Sequence, residues 1–161
     1  NSQKQAVGMD DNTAKADDKP YNVGYIAGVF DLFHIGHLNM FKRAKEQCRY
    51  LIVGVVSDEG VRLNKQAEPF VPFDERIEMV RSCKYVDEAI KLPLDFCGTR
   101  DMFKIYHFDV QFSGSDYEHD PAWLAEKEFL EKNGSTMVFF PYTQSTSSTK
   151  LKKAIENRIN N

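Results

Sequence analysis

Val23-Gly24-Tyr25-Ile26-Ala27-Gly28-Val29-Phe30-Asp31-Leu32-Phe33-His34-Ile35-Gly36-His37 is the stretch whose reading decides the fold of this chain. Its first half, Val23 to Val29, is an apolar run that reads as a strand. The chain then turns and enters an amphipathic segment from about Ile35 to Gln47. There Leu38, Phe41, Ala44 and Cys48 recur at i, i+3 and i+4 steps and predict a helix. A strand, a tight turn and a helix start bring backbone N–H groups and the positive end of a helix dipole to one point, which suits phosphate. Imidazoles at that point add donors, and positive charge when protonated.

Working outward, Tyr50 to Val56 is a β-branched run of the kind buried on both faces of a parallel sheet. Ser57 to Val71 reads as a long polar connection, a length uncommon without a function. Pro72-Phe73-Asp74-Glu75-Arg76 opens a helix whose apolar face is Ile77, Met79 and Val80. Tyr85 to Ile90 reads as a strand, Phe96 to Tyr106 as a helix and Phe108 to Phe112 as a strand. Pro121 starts a helix that Asn133-Gly134 ends. Thr136 to Phe140 is the last strand and Ser147 to Asn160 the last helix. This alternation predicts an α/β fold, a Rossmann-like doubly wound sheet of about five parallel strands with helices on both faces. The ligand site is then expected beyond the carboxyl ends of the strands. That edge collects Gly28–His37, Ser57–Val71, Ser113–Asp120 and Pro141–Ser148.

The chain has 161 residues, enough for one domain with a sizeable core. A net charge of −3 argues against non-specific nucleic-acid binding, so no nucleic-acid partner is expected. The three cysteines, Cys48, Cys83 and Cys97, have no paired spacing, which points to a reducing, cytoplasmic setting. No apolar run approaches the roughly 20 residues of a membrane span, and no signal peptide is visible. Residues 1–20 are polar and charged and read as a disordered tail or linker, leaving 21–161 as the folded domain. The first residue is Asn1 rather than Met, so a larger multidomain chain is allowed for.

The histidine loop is neither G-x-G-x-x-G nor a Walker sequence. His34 and His37, three residues apart, can share one side of a helix. The other histidines, His107 and His119, are distant in sequence, and no cysteine completes a zinc set. Spacing alone leaves a phosphate role, a structural role and a metal role open.

Gly28-Val29-Phe30-Asp31-Leu32-Phe33-His34-Ile35-Gly36-His37 resembles the signature of the nucleotidyltransferase superfamily named for its H-x-G-H motif. Within it the chain is similar to the cytidylyltransferases, the bacterial glycerol-3-phosphate enzymes foremost and the ethanolamine- and choline-phosphate enzymes next. Further matching pieces follow in order: Arg43-Ala44-Lys45, Ser57-Asp58-Glu59, Arg76, Tyr85-Val86-Asp87-Glu88, Gly114-Ser115-Asp116-Tyr117 and Ser147-Ser148-Thr149-Lys150. The resemblance implies transfer of CMP from CTP to a small phosphorylated alcohol, glycerol phosphate in front, with release of pyrophosphate. It implies catalytic roles for His34, His37 and Lys65, and acceptor or phosphate contacts for Arg76 and Lys84. Nucleotide contacts are implied at Gly28, Val29, Phe30, Gly36, Asp116, Thr143, Ser147, Ser148 and Thr149.

By the same resemblance, Mg²⁺ accompanies CTP, no protein metal ligand is assigned, and the chain is a homodimer with the histidine loop near the interface. Asp31 is expected to orient the turn, because a carboxylate repels phosphate. Asp87 is expected to hold a loop at a strand end. Trp123 offers either a stacking surface or core packing. The chain departs from the pattern at Lys84 and Tyr142, where the family carries arginines, and at Ser145, where it carries glycine. Two alternatives stand beside this reading: an adenylyltransferase of the same superfamily, and a catalytically weak nucleotide-binding module, which the changes at Lys84 and Tyr142 favour.

Overall fold

The computed structural model describes residues 18–93, 98–141 and 147–160. Five strands form one sheet: β1 (Tyr21–Gly28), β2 (Cys48–Val56), β3 (Glu88–Leu92), β4 (Val110–Gly114) and β5 (Met137–Phe140). Their spatial order is β3-β2-β1-β4-β5 and every pairing is parallel. The order reverses between β1 and β4. In such sheets that reversal opens a crevice at the carboxyl edge. The expected α/β architecture is therefore the observed one.

Helices α1 (Ile35–Gln47), α2 (Asp58–Lys65), α3 (Phe73–Arg81), α4 (Thr99–Tyr106), α5 (Pro121–Lys132) and α6 (Ser148–Asn160) follow the strands. Side chains of successive strand residues alternate between two cores. Ile26, Leu51, Val53, Val55 and Phe112 meet Phe41 and Ala44 of α1 and Ile77 and Val80 of α3. On the other face Tyr25, Ile52, Phe108 and Met137 meet Met102 of α4 and Leu130 of α5. The ring of Tyr25 stacks on Phe108 at 4.8 Å.

Several boundaries differ from the sequence reading. The connection 57–71 contains a helix, α2, whose N-cap is the Ser57 hydroxyl accepting from Gly60 N at 3.1 Å. Only Gly60 and Val61 of α2 are buried, so it carries no apolar stripe to announce it. Met79, assigned to the buried face of α3, is 54% exposed. Strand β3 begins at Glu88 rather than Tyr85, because residues 83–86 form a turn closed by Val86 N on Cys83 O at 3.1 Å. Strand β4 begins at Val110, and Phe108 fills the core just before it. Of the helix expected over 96–106, residues 96 and 97 lie outside the described residues.

The ordered domain starts earlier than Tyr21. Lys19 Nζ donates to Lys45 O at 2.7 Å and to Cys48 O at 3.2 Å. A cation there meets the unpaired carbonyls and negative end of the α1 dipole.

Candidate active site

The loop joining β1 to α1 is held in a conformation that two of its residues resist. Phe30 and Leu32 have φ of 58° and 52°, the left-handed region, where a side chain costs of order 1 kcal/mol or more. Such a turn persists only where its surroundings over-determine it. The Phe30 ring is buried, edge-on to Phe41 at 5.2 Å and to His37 at 5.3 Å. A Cβ on Gly28 would stand 2.7 Å from that ring, so glycine is required here for packing. Phe30 therefore offers a ligand only its main chain, and the closest neighbour of Gly28 is protein.

Asp31 is 3% exposed and does what its sequence position suggested. Its carboxylate accepts from Phe70 N at 2.8 Å and Val71 N at 2.9 Å, and pairs with Lys152 Nζ at 3.3 Å. Burial works to raise the Asp31 carboxyl, but the two N–H donors and the Lys152 charge outweigh it and hold the group below the usual carboxylate range. Ser148 Oγ donates to Asp31 O at 2.7 Å, tying α6 to the same turn.

His34 is the N-cap of α1. Its Nδ1 accepts from Gly36 N at 3.0 Å, while His37 Nδ1 accepts from His34 N at 3.2 Å. This is a reciprocal capping box built from two imidazoles. An Nδ1 that accepts cannot carry the proton, so both rings are Nε2–H tautomers, an assignment that follows from the hydrogen bonds. Burial lowers the His37 pKa to about 3, helped by the His34 charge and opposed by Asp31. Burial also lowers that of His34. The rings lie 3.9 Å apart. The positive charge anticipated from the sequence is thus absent near neutral pH. What the pair offers is two neutral N–H donors with their other nitrogen already engaged.

Arg76 is not where the resemblance put it. It is 1% exposed, and its guanidinium donates to four protein acceptors. Nε reaches Val71 O at 2.8 Å, Nη1 reaches Val29 O at 2.7 Å and Val56 O at 2.9 Å, and Nη2 reaches Asp58 Oδ1 at 2.6 Å. With four of its five N–H donors engaged, Arg76 is a frame residue and not a phosphate ligand. Burial works to raise the Asp58 carboxyl. The Arg76 fork and Phe73 N overcome that and lower it.

Lys84 lies in the connection between α3 and β3, in a groove that also reaches Phe33 of the histidine loop. Its ammonium sits 5.3 Å from the Tyr85 ring centroid, in a groove of about 420 Å³ lined by Phe33, Leu38, Met79 and Cys83 among others. Asp87 accepts from Leu51 N at 2.7 Å and pairs with Lys45, holding the start of β3 as expected.

Lys65 is exposed on the last turn of α2, just before the left-handed Gln66. Asp116 is exposed in a short 3₁₀ turn (Ser115–Tyr117) that leaves β4 at the carboxyl edge. Beside it Tyr117 stacks on Trp123 at 4.5 Å, and Trp123 also packs on the second core, so both readings of Trp123 describe part of its surroundings. Gly36 N is committed to the cap, and Ser147 Oγ accepts from Lys150 N at 3.1 Å as the N-cap of α6. Thr149 is exposed. Thr143, with Tyr142 and Ser145, lies outside the described residues.

Two residues escaped the sequence reading. Lys152 brings a cation to Asp31 and lies 5.7 Å from the Phe70 ring centroid. Its signal was its place four residues after Ser148, one turn into α6. Arg43, named above only as part of a matching piece, donates to Pro141 O at 3.1 Å, at the entrance to the last loop. Among the described residues, no three His, Cys, Asp or Glu side chains converge as metal ligands. A Mg²⁺ ion here would be held mainly by triphosphate oxygens, with its charge offsetting theirs, which is the usual mode for that ion.

Comparison with known proteins agrees with this geometry. A family model described as cytidylyltransferase-like matches residues 25–154. FAD synthase of Thermococcus kodakarensis is 37% identical over 139 residues, covering 83% of this chain and 89% of that protein. Ethanolamine-phosphate cytidylyltransferase of Dictyostelium discoideum is 38% identical over 138 residues, but the match spans only 38% of that longer enzyme. Glycerol-3-phosphate cytidylyltransferase of Bacillus subtilis is 32% identical over 128 residues, covering 80% of this chain and 92% of that one. Among solved structures, a lipopolysaccharide core biosynthesis protein from Thermoplasma volcanium superposes with a TM-score of 0.60 at 25% identity, covering 78% of this chain and 99% of that one.

Sheet, loops and relatives together define a nucleotidyltransferase. More narrowly, the chain belongs to the cytidylyltransferase-like family.

Proposed function

We propose that the protein transfers CMP from CTP to a small phosphorylated alcohol, glycerol phosphate being the first candidate. An acceptor phosphate oxygen attacks the α-phosphorus, the α–β phosphoanhydride bond breaks and pyrophosphate leaves. Such chemistry needs positioning and charge stabilisation rather than a protein nucleophile. The observation that carries the reading is the capped imidazole pair: Nδ1 of His34 and His37 hold the helix start, which leaves each Nε2–H as a pre-set donor for triphosphate oxygens. Lys65, exposed at the end of α2, adds a mobile cation that closes over the nucleotide. Asp116 and the start of α6 complete the nucleotide site. The homodimer belongs to the same proposal, with the groove of Phe33, Leu38 and Met79 as its face. Among the described residues no helix is long and apolar enough to cross a membrane.

A second reading is adenylyl transfer, favoured by the 37% identity to the FAD synthase of Thermococcus kodakarensis. Competition between CTP and ATP separates the two. The purified chain is incubated with both nucleotides and a panel of phosphorylated acceptors, including glycerol phosphate, ethanolamine phosphate and flavin mononucleotide, and products are resolved by mass. CDP-linked products support the first reading and AMP-linked products the second. Tight nucleotide binding with no product from any acceptor would return the chain to a binding module.

A further inference from the structure

We propose that Arg76 is a positioning residue for the histidine pair, because its guanidinium closes a ring of bonds around the strained residue Phe30. The ring can be traced bond by bond. From Val29 the chain runs through Phe30 to Asp31, whose Oδ1 accepts from Val71 N at 2.9 Å. Val71 O accepts from Arg76 Nε at 2.8 Å, and Arg76 Nη1 returns to Val29 O at 2.7 Å. Inside the ring sits Phe30 at φ 58°, with Leu32 at 52° just beyond it. Left-handed non-glycine residues hold only where neighbours fix them. Val29 and Asp31, on either side of Phe30, are both pinned, one by Arg76 directly and the other through Val71.

The ring reaches the imidazoles by contact. The Phe30 ring meets His37 edge-on at 5.3 Å, and His37 Nδ1 accepts from His34 N. A turn that relaxed from the left-handed region would withdraw the Phe30 ring and loosen the reciprocal cap. The fork also gathers Val56 O at the end of β2 and Asp58 at the start of α2, so one side chain references both neighbouring site loops to the turn. A lysine can replace the charge but not the planar fork, because its single ammonium cannot span acceptors on four separate residues.

This inference rests on the proposed transferase reading only for its kinetic readout, so the test has a second one. Arg76→Lys is expected to fold, to keep nucleotide KM within about threefold and to lower kcat by about tenfold to a hundredfold, consistent with misplaced donors. In parallel, ¹⁵N imidazole spectra of the unliganded protein should show both histidines as Nε2–H tautomers in the wild type and as a mixture of tautomers in Arg76→Lys. If Arg76 bound the acceptor phosphate instead, acceptor KM would rise alone and the spectra would not change, which would overturn the proposal. Unchanged kcat and unchanged tautomers in a less heat-stable protein would also overturn it, leaving a purely structural residue. Should Arg76→Lys not fold, Asp58→Asn loosens the fork from its half-exposed partner, and the same tautomer mixing at smaller amplitude is expected. Unaltered spectra there would count against the ring. If the wild type turns over no nucleotide, the transferase reading fails while the tautomer arm still decides this one.

Discussion

His37 has two jobs that one substitution can separate. Its Nδ1 caps His34 N, and its Nε2–H is the proposed donor to the triphosphate. In His37→Asn the side-chain carbonyl stands where Nδ1 stood and can still accept from His34 N, but nothing reaches the Nε2 position. His37→Ala loses both. Loss of one pre-set donor to developing charge lowers kcat by about 10²–10³, or about 3–4 kcal/mol. Loss of the cap costs about 1 kcal/mol more in stability, or about 3 °C in Tm for a domain of this size. Either substitution removes the imidazole contacts to Phe30 and Phe33, each 5.3 Å between centroids, so the two variants differ chiefly by the cap. The expectation is therefore two variants with similar, deeply reduced kcat but different Tm, both below the wild type and Ala the lower. Steady-state pyrophosphate release and thermal melts read the two axes. Near-normal turnover in His37→Asn would refute the reasoning, because the cap and not the donor would then carry the function.

Lys65→Ala, a change on an exposed turn, is expected to lower kcat by about tenfold to a hundredfold with Tm unchanged; an unchanged rate returns Lys65 to the solvated surface. Asp31→Ala strips two N–H groups of a charged acceptor and is expected to cost about 3 kcal/mol, or about 10 °C in Tm, by calorimetry. A loss under 1 °C would contradict the pinning role. The His37 imidazole, held at about 3, should stay neutral as pH passes the ordinary histidine value of about 6.5, and His34 should titrate below that value; a His37 ring titrating near 6.5 in NMR would contradict the neutral pair. The linkage follows in sign. A histidine held neutral, with a folded pKa of about 3 for His37, contributes stability that is full above the unfolded value and is lost as pH falls from about 6.5 toward 3. Asp31, lowered in the fold, contributes stability present above the unfolded carboxyl value and lost as pH falls through its lower folded one.

The fold was legible because strand burial and helix periodicity are local signals. The β-branched run ending at Val56 and the 38-41-44 stripe each name an element without help from the rest of the chain. Helix α2 was hidden because it lies on the surface with two buried residues, although Ser57 with Asp58 and Glu59 is a proper helix start. The histidine loop was legible as a strand-to-helix turn at the carboxyl edge of the sheet, but its charge state was not. Neutrality comes from burial against Phe30 and Phe33 and from a reciprocal cap that no spacing rule shows. Arg76 was misread for a related reason. An arginine between Glu75 and Glu78 looks like a helix surface residue or a ligand, and only the packed loops reveal three carbonyls aimed at one fork.

The most direct test of the central claim is pyrophosphate release by the wild-type chain with CTP and phosphorylated alcohols, measured beside His37→Asn. The account predicts pyrophosphate formed in step with a CDP-linked alcohol, falling by about 10²–10³ in the variant while its Tm stays above that of His37→Ala. Nucleotide binding without pyrophosphate release from either CTP or ATP, for every acceptor, would contradict it.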